Sequence, residues 1–219
     1  MIDRRTLLRV AAVVGPAGAV AACSVPTREA PVATPSPDPE DAPRVLLAYF
    51  SRAGENYYYG DRIDLEVGNT EVVAAMIAEL AGLGDVDVFR IVESDPYPHD
   101  YEATVARNVA EQQQDARPAI ADPLPDASAY DVVLLGSPIW NVQAPMIMRT
   151  FIDGVDLSGR TLHPFVTHAV SGMGRAATDY ERLCPEALHG EGLAVQGETA
   201  VDARPEVETW LGRIGLLAT

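Results

Sequence analysis

Lysine is absent from this chain of 219 residues, so arginine supplies every side chain with a fixed positive charge. The 16 basic residues stand against 32 acidic ones, and the formal net charge is −16. Because nucleic-acid backbones attract surfaces rich in basic side chains, this imbalance argues against nucleic acid as a partner. An acidic surface instead favours basic partners and changes how fast they associate.

Cysteine is scarce as well, with only Cys23 and Cys184 in the chain. A lone cysteine in a folded domain is more often a small buried side chain than a nucleophile, and we expect this of Cys184. The four histidines are His99, His163, His168 and His189. Their spacing does not match that of metal ligands, so we expect no metal site and place each histidine in a loop or at the surface.

The apolar run at residues 10–22 has 13 residues and contains glycine and proline. A membrane-spanning helix needs about 20 apolar residues, so the run is too short to be one. It follows Arg4-Arg5 and ends at Cys23, where the letters VAAC resemble a lipobox. We therefore expect a signal peptide at residues 1–22 and lipid attachment at Cys23, which would anchor an exported lipoprotein to the outer face of the cytoplasmic membrane. The paired arginines resemble a twin-arginine signal, and an ordinary secretory signal is the alternative.

Residues 23–43 contain six prolines and few large apolar side chains. Such a segment cannot offset its ordering entropy by burial, so we predict an extended tether that leads to a folded domain at residues 44–219. Removal of residues 1–22 changes the net charge to −18, because that segment carries three arginines and one aspartate. The exported chain is therefore more acidic than the precursor.

From residue 44 onward, apolar stretches alternate with amphipathic ones. The apolar stretches predict strands at residues 45–50, 86–92, 131–135, 165–170 and 193–196. The amphipathic stretches predict helices at residues 70–80, 101–114, 145–153, 174–183 and 205–216. This alternation predicts an α/β fold in which helices cover both faces of a parallel sheet. Ligands of such sheets bind beyond the carboxyl ends of the strands, so the loops that begin at Ser51, Gly136 and Val170 are the candidates.

The first candidate loop contains Ser51 and Arg52 and, after an insertion, Asn69 and Thr70 at the start of a helix. Hydroxyl, amide and backbone N–H groups at a helix N-terminus are the donors that a phosphate needs. Asn and Thr are also common N-cap residues, so a purely structural role is the alternative.

The second candidate loop reads Ser137-Pro138-Ile139-Trp140-Asn141. A tryptophan at the mouth of a buried strand offers a flat surface to an aromatic ligand, and a tryptophan folded back on a helix is the alternative. The third loop contains Ser171, Gly172 and Gly174, which leave backbone N–H groups free for the edge of a ligand. Together the three loops are a stronger signal than each alone.

In this order the loops resemble the flavodoxin-like family, in the branch with an insertion inside the phosphate loop. The stretches that carry the resemblance are LAYFSRAGEN at residues 47–56, GNTEVVA at 68–74, DPYP at 95–98 and GSPIW at 136–140. The resemblance covers residues 44–219. It implies a doubly wound, five-stranded parallel sheet of order 2-1-3-4-5, with FMN bound non-covalently at the ends of the first, third and fourth strands.

The resemblance also implies roles for the loop residues. The phosphate would be held by Ser51, Arg52, Asn69 and Thr70, the flavin bordered by Ser137, Pro138, Ile139, Trp140 and Asn141, and the pyrimidine edge met by Ser171, Gly172 and Gly174. Many family members have a glycine near the flavin whose peptide flips on one-electron reduction. Here Asn141 and Val142 follow Trp140 instead of glycine. Asn accepts a positive φ more readily than most residues, so this sequence still permits such a flip. Tyr57-Tyr58-Tyr59, inside the insertion, could cover the ribityl chain or pack the loop down, and we favour packing.

Other proteins of this architecture are excluded by the residues they need. A receiver domain needs acidic residues after the first strand and an aspartate at the end of the third, where Ser51 and Gly136 stand. A low-molecular-weight phosphatase needs Cys-x5-Arg in the first loop, which has no cysteine. A serine hydrolase needs Gly-x-Ser-x-Gly at its nucleophile, and the second loop does not match it.

Two classes of function remain open. The first is an FMN-binding electron-transfer protein, either a carrier with a redox partner protein of basic character or a small NAD(P)H or quinone reductase. The lack of a separate nicotinamide motif favours the carrier. The second is a flavin-free, lipid-anchored binding protein on the same fold. Colour distinguishes them, because a purified FMN protein is yellow.

We predict that Cys23→Ala moves the protein from the membrane to the soluble fraction of its host. Buried acyl chains supply about 0.8 kcal/mol per CH₂, and a protein without them loses its anchor. Fractionation by ultracentrifugation measures the shift, and Cys184→Ala is the matched control that stays at the membrane. Unaltered protein found in the soluble fraction would contradict lipid attachment.

Overall fold

The computed structural model describes residues 42–81 and 86–217. The predicted signal peptide, the lipid attachment at Cys23 and the tether up to residue 41 lie outside the described residues. Within the described ranges, no helix has the length and apolar character needed to cross a membrane.

The elements follow one another in a strand and helix alternation. In chain order they are β1 (Val45–Tyr49), β2 (Gly54–Tyr58), β3 (Asp61–Leu65), α1 (Asn69–Leu80), β4 (Val86–Arg90), α2 (Tyr101–Gln113), β5 (Val132–Pro138), α3 (Ile147–Gly154), β6 (Thr161–His168), α4 (Ala176–Leu183), β7 (Leu188–His189), β8 (Leu193–Gln196) and α5 (Arg204–Arg213). Two short 3₁₀ segments lie at Ala127–Ala129 and Gly197–Asp202.

The central sheet is parallel throughout and has the order β4-β1-β5-β6, with both β7 and β8 paired to the outer edge of β6. β8 is the fifth of the strands expected from the sequence, so the order 2-1-3-4-5 is confirmed. The switch point lies at β1 and β5, which are neighbours although β4 comes between them in the chain. Their carboxyl ends therefore open the crevice where ligands of such sheets bind.

β1 is buried along its whole length, as its continuous apolar sequence predicts. Successive side chains of a strand point to opposite faces of the sheet. Accordingly, Leu47 packs in one hydrophobic cluster with residues of α1 and α5, including Trp210. Leu46 packs in a second cluster with residues of α3 and α4, including Phe151. Helices thus cover both faces of the sheet.

Element ends differ from the predicted ones in two informative places. β6 begins at Thr161, four residues before the predicted start, and includes Pro164. On the outer edge of β6, β7 pairs with residues 161–162 and β8 with residues 165–168. Pro164 lies between these two paired stretches, so the N–H that proline lacks is not needed for a hydrogen bond to β7 or β8. α4 begins at Ala176 rather than Gly174, because Gly174 has a φ of +53° and is not helical.

A two-stranded antiparallel hairpin, β2–β3, lies between β1 and α1. Its turn residues Tyr59 and Gly60 both have positive φ, as a two-residue hairpin loop requires. Tyr58 and Tyr59 are 41% and 60% exposed, so the interpretation that they pack the loop down is wrong for these two side chains. The base of the hairpin is attached to the start of α2, where the Tyr101 N–H donates to Glu55 Oε2 at 3.1 Å.

We predict that Phe151→Ala lowers the free energy of unfolding by about 3–5 kcal/mol, because it leaves a cavity between α3 and the sheet. The Phe151 side chain is fully buried and lies 5.9 Å from the Phe89 ring. Urea unfolding followed by circular dichroism measures the change. Val201→Ala, at a position 68% exposed, is the control, and we expect it to change stability by less than about 0.5 kcal/mol. Equal effects of the two substitutions would place α3 outside the core.

Candidate functional site

A cavity of about 320 Å³ lies at the carboxyl ends of β1, β5 and β6, and we call it the strand-end cavity. It is lined by Ser51, Arg52, Asn56, Tyr57, Asn69, Thr70, Tyr101, Pro138, Ile139, Trp140, Thr167, His168, Ala169, Val170, Gly197 and Glu198. Seven of the twelve residues expected to bind a cofactor are among them. The topology therefore brings the first and second candidate loops together at one site.

The N-terminus of α1 is joined to the end of β1. Ser51 Oγ accepts the N–H of Glu71 at 3.0 Å, and the Gly68 carbonyl accepts the same N–H at 3.0 Å. A Cβ atom at Gly68 would collide with Ser51 Oγ and the Arg52 carbonyl, so only glycine permits this approach. Within the described residues the N–H groups of Asn69 and Thr70 donate to no protein acceptor, which leaves them for an anion at the helix N-terminus.

Thr70 is 1% exposed, and its hydroxyl shares a hydrogen bond of 2.7 Å with the hydroxyl of Thr167 on β6. This bond connects the first turn of α1 to the end of β6 beneath the cavity. Thr167 was not among the expected site residues. The strand predicted at residues 165–170 contains Thr167, but because β6 ends at His168, Thr167 lies close to the carboxyl end of the strand, where ligands bind.

Arg52 has a different role from the expected one. Its guanidinium donates to the carbonyls of Glu55, Pro98 and His99 at 2.7, 2.8 and 2.6 Å. Burial lowers the pKa of Arg52 from its ordinary value. Most of its donors are thus used by backbone carbonyls, and the side chain mainly holds the hairpin base to the segment before α2. A phosphate in the strand-end cavity would rely chiefly on neutral donors.

Trp140 lies between the core and the strand-end cavity. Its ring meets those of Phe50 and Tyr97 edge to face, at centroid distances of 5.7 and 5.0 Å. The Tyr97 hydroxyl donates to Glu111 Oε2 at 2.8 Å, and burial, together with this bond, raises the pKa of Tyr97. Trp140 therefore packs against the core and also lines the cavity, which reconciles the two interpretations of this residue.

A tight turn follows Trp140. The Trp140 N–H donates to the Gln143 carbonyl at 2.8 Å, and the two residues between them, Asn141 and Val142, have φ of +50° and +61°. Asn accepts this conformation readily, whereas a β-branched residue such as Val rarely does. The Val142 carbonyl is held by the N–H of Arg175 at 2.8 Å, so the structure around the turn maintains the strain.

Five of the expected residues do not line the strand-end cavity. Ser137 is fully buried in β5, and Asn141 lines a neighbouring cavity beside α2. Ser171 and Gly172 lie in the turn after β6. Gly174 packs against the Val142 carbonyl, where a Cβ atom would collide. Residues 168–170 line the cavity in place of residues 171–174.

Two residues that line the cavity each carry a buried polar atom without a partner in the described part of the chain. Within the described residues, His168 Nδ1 and Glu198 Oε2 are buried and form no hydrogen bond. A buried polar atom without a partner costs free energy, so these two atoms indicate a polar ligand. The prediction that His163 and His168 lie in a loop or at the surface is wrong, because His163 is buried within β6 and His168 ends that strand. Glu198 was not expected at the site, because it lies in a 3₁₀ segment after β8 and belongs to none of the three candidate loops.

Cys184 ends α4, and its thiol donates to the Tyr180 carbonyl at 3.0 Å. Burial raises the pKa of this thiol to about 11, so it is protonated at neutral pH. Among the described residues, no group of histidine, cysteine and acidic side chains is arranged to hold a metal ion. The chemistry of the strand-end cavity therefore depends on hydrogen-bond donors and acceptors and on the face of Trp140.

The fold and the cavity define a doubly wound α/β protein with a site for an anionic, partly aromatic ligand at its switch point. Residues 65–214 match the family model of flavodoxin, which covers more than half of the chain. The chain belongs to the flavodoxin family. Membership of this family supports FMN, the cofactor expected from the sequence.

Solved structures show the same fold. A flavoprotein from Bacteroides eggerthii is 29% identical, with a TM-score of 0.61 over 80% of this chain and 99% of its own. A flavoprotein from Lactobacillus acidophilus in complex with FMN is 17% identical, with a TM-score of 0.54 over 75% of this chain and 99% of its own.

A relative with a described activity matches a shorter part of the chain. An FMN-dependent NADH:quinone oxidoreductase from Stenotrophomonas maltophilia is 34% identical over 90 residues, which is 41% of this chain and 43% of that enzyme. The chain thus matches less than half of the length of this relative.

We predict that Arg52→Gln increases amide hydrogen exchange in β2 and in residues 99–100, because the carbonyls of Glu55, Pro98 and His99 lose their charged donor. A hydrogen bond to a charged group contributes about 1.5–3 kcal/mol. Hydrogen exchange read by mass spectrometry, without any ligand, measures the effect. Arg90→Gln, which removes an exposed pair with Glu71, is the control and leaves the hairpin unchanged. Unchanged exchange in Arg52→Gln would mean that Arg52 serves a ligand rather than the hairpin.

Proposed function

We propose that the protein binds FMN in the strand-end cavity and transfers electrons through it. The observation that carries this proposal is the joint placement of the α1 N-terminus, two unpartnered polar atoms and the Trp140 ring around one cavity. FMN needs an anchor for its phosphate, polar partners for its ribityl chain and a flat apolar surface for its ring. The residues present fit each of these parts.

Each part of FMN has its own group of residues in this proposal. Ser51, Asn69 and Thr70 hold the phosphate with hydroxyl and backbone N–H donors. His168 Nδ1 and Glu198 Oε2 are the polar atoms that would form hydrogen bonds with the ribityl hydroxyls, because neither has a partner within the described residues. Bound FMN supplies the redox chemistry, and the protein supplies its position and surroundings.

The flavin ring would be held against Ile139 and Trp140, and the backbone of residues 168–170 would bind its pyrimidine edge. This differs from the sequence-based assignment to Ser171, Gly172 and Gly174, because those residues lie outside the cavity. Asn141 and Val142 stay near the ring through the turn that they form after Trp140.

We also propose that hairpin β2–β3 is the insertion typical of this branch of the family. It separates Ser51 from Asn69, which line the same cavity. The N–H of Tyr59, at the tip of the hairpin, donates to Glu198 Oε1 at 3.3 Å. The hairpin is therefore attached at its tip to the far side of the cavity and at its base to α2.

Electron transfer to a protein and to a small molecule are both compatible with an FMN site. The lack of a nicotinamide motif supports a carrier, and its net charge of −18 without residues 1–22 suits a basic redox partner. The S. maltophilia relative, an FMN-dependent NADH:quinone oxidoreductase, supports a reductase as the second candidate. In either case we propose attachment through Cys23 to the outer face of the cytoplasmic membrane.

We predict that Trp140→Ala weakens FMN binding by about 1 kcal/mol or more, since it removes an aromatic contact and apolar burial. Trp140→Phe loses less. Titration of the flavin-free protein with FMN, followed by the quenching of flavin fluorescence, measures both. A colourless protein that takes up neither FMN nor riboflavin would overturn the proposal and favour the flavin-free binding protein.

We predict that Thr70→Ala weakens FMN binding while riboflavin binding changes little, because only FMN carries a phosphate. The same titration with both flavins gives the comparison. Val170→Ala, also at the cavity but away from α1, is the control and affects the two flavins equally. Equal losses of FMN and riboflavin in Thr70→Ala would place the phosphate elsewhere.

A further inference from the structure

Two aromatic rings, those of Trp140 and Tyr97, connect the strand-end cavity with a neighbouring cavity of about 300 Å³. Trp140 lines the strand-end cavity, whereas Tyr97 lines the second one, which we call the Tyr97 cavity and which also has Val92, Pro98 and His99 in its wall. The two ring centroids are 5.0 Å apart, and the ring planes are almost perpendicular. An electron that passes between these rings therefore travels from one cavity to the other through side chains in contact.

The Tyr97 hydroxyl has a proton acceptor in place. It donates to Glu111 Oε2 at 2.8 Å, and Arg107 Nε donates to the other carboxylate oxygen, Glu111 Oε1, at 2.8 Å. Both Tyr97 and Glu111 are buried, and a hydrogen bond in such surroundings is stronger than the same bond in water. Burial raises the pKa of Tyr97, so the hydroxyl keeps its proton at neutral pH as long as the ring is not oxidised.

A positive charge beside the Tyr97 ring determines how this ring is oxidised. The Arg107 guanidinium lies over the ring, with its central carbon 4.1 Å from the centroid. A cation at this distance is attracted to the neutral ring and opposes a second positive charge on it. Loss of an electron from Tyr97 is therefore accompanied by loss of the hydroxyl proton, and the Glu111 carboxylate is the base within hydrogen-bond reach.

The chain has two tryptophans, and their surroundings differ. Trp210 is fully buried, and within the described residues its aromatic ring contacts are with His163 and Phe165, at 6.3 and 6.5 Å. Trp140 is half-buried, and the ring nearest to it is that of Tyr97. A tyrosine that gives up its proton is easier to oxidise than a tryptophan. An oxidised Trp140 thus has an electron donor in contact with it, which Trp210 lacks.

We propose that Trp140 and Tyr97 form a redox-active pair that removes oxidising equivalents from the strand-end cavity. Trp140 gives one electron to a strong one-electron oxidant in the cavity, such as a light-excited flavin, and the oxidant is reduced. Tyr97 then gives one electron to Trp140 and its hydroxyl proton to Glu111, which leaves a neutral tyrosyl radical and a protonated carboxyl group. A one-electron reductant of the ascorbate class returns the electron at the Tyr97 cavity, and Glu111 returns the proton.

The proposal goes beyond the proposed function, because the electrons come from side chains, and its test uses the full chain without flavin. Azide radicals made by pulse radiolysis oxidise tryptophan faster than tyrosine, and they reach the half-buried Trp140 more readily than the fully buried Trp210. We expect the absorbance of the tryptophanyl radical to decay as that of a tyrosyl radical rises, at a rate that does not depend on protein concentration. A tryptophanyl radical that decays without formation of a tyrosyl radical would overturn the proposal.

Single substitutions identify the electron donor and the proton acceptor. Tyr97→Phe keeps the ring but removes the hydroxyl, and we expect it to lose the conversion. Tyr101→Phe, at the strand-end cavity, and Tyr180→Phe, at a fully buried ring, are the matched controls and keep it. Glu111→Gln keeps an acceptor oxygen without the negative charge and slows the conversion roughly tenfold. Conversion that survives in Tyr97→Phe would overturn the proposal, and an unchanged rate in Glu111→Gln would overturn the proton transfer.

Covalent damage at Trp140 gives a second measurement. A tryptophanyl radical that persists reacts further in air, whereas electron transfer from Tyr97 restores the indole ring. Under continuous exposure to azide radicals, we expect Tyr97→Phe to accumulate more oxidised Trp140 than the unaltered protein, as measured by mass spectrometry of peptides. Tyr101→Phe resembles the unaltered protein, and oxidation of Trp210 is the internal reference that stays the same. Equal oxidation of Trp140 with and without the Tyr97 hydroxyl would contradict the protective role of the pair.

Discussion

The contact between the start of α1 and the end of β1 is the constraint on which the site depends. Gly68 approaches Ser51 and Arg52 so closely that no side chain fits, and Ser51 caps the helix at Glu71. The helix N-terminus is thereby held at the switch point of the sheet, where its N–H groups stabilise negative charge. Hairpin β2–β3 lies in the chain between Ser51 and Gly68, which are in contact with each other. The insertion therefore adds residues to the cavity wall without moving Ser51 away from the N-terminus of α1.

The polar side of helix α2 supports the residues around Trp140. A helix that packs only for stability carries an apolar stripe, yet α2 buries Thr104, Asn108 and Glu111. Glu111 fixes Tyr97, which packs edge to face against Trp140, and Asn108 is linked through Gln112 to the Trp140 carbonyl. The polar side of α2 thus positions the Trp140 ring, which lines the strand-end cavity.

The apolar run of β1 and the alternation of strands and helices were sufficient to predict a parallel sheet with helices on both faces, because connections in such folds follow few rules. The order of the strands came from the resemblance to the flavodoxin-like family. The same alternation also predicted that Ser51, Thr70 and Trp140 meet, since all lie at strand ends or helix starts on the same edge. The sequence did not reveal His168 and Glu198 as neighbours of this site, because the pairing of β6 with β8 is a long-range property. Nor did it show that Arg52 binds carbonyls 46 and 47 residues away, in the segment before α2.

The turn at Asn141 and Val142 bears on how the surroundings of a redox centre respond to a change in charge. Its two residues have positive φ, its ends are closed by the bond from Trp140 to Gln143, and its outer carbonyl is held by Arg175. A backbone fixed on so many sides moves little when an electron arrives nearby. In the proposed electron transfer, dipoles that are already oriented would need little rearrangement, which would keep the reorganisation energy small on this side of the cavity.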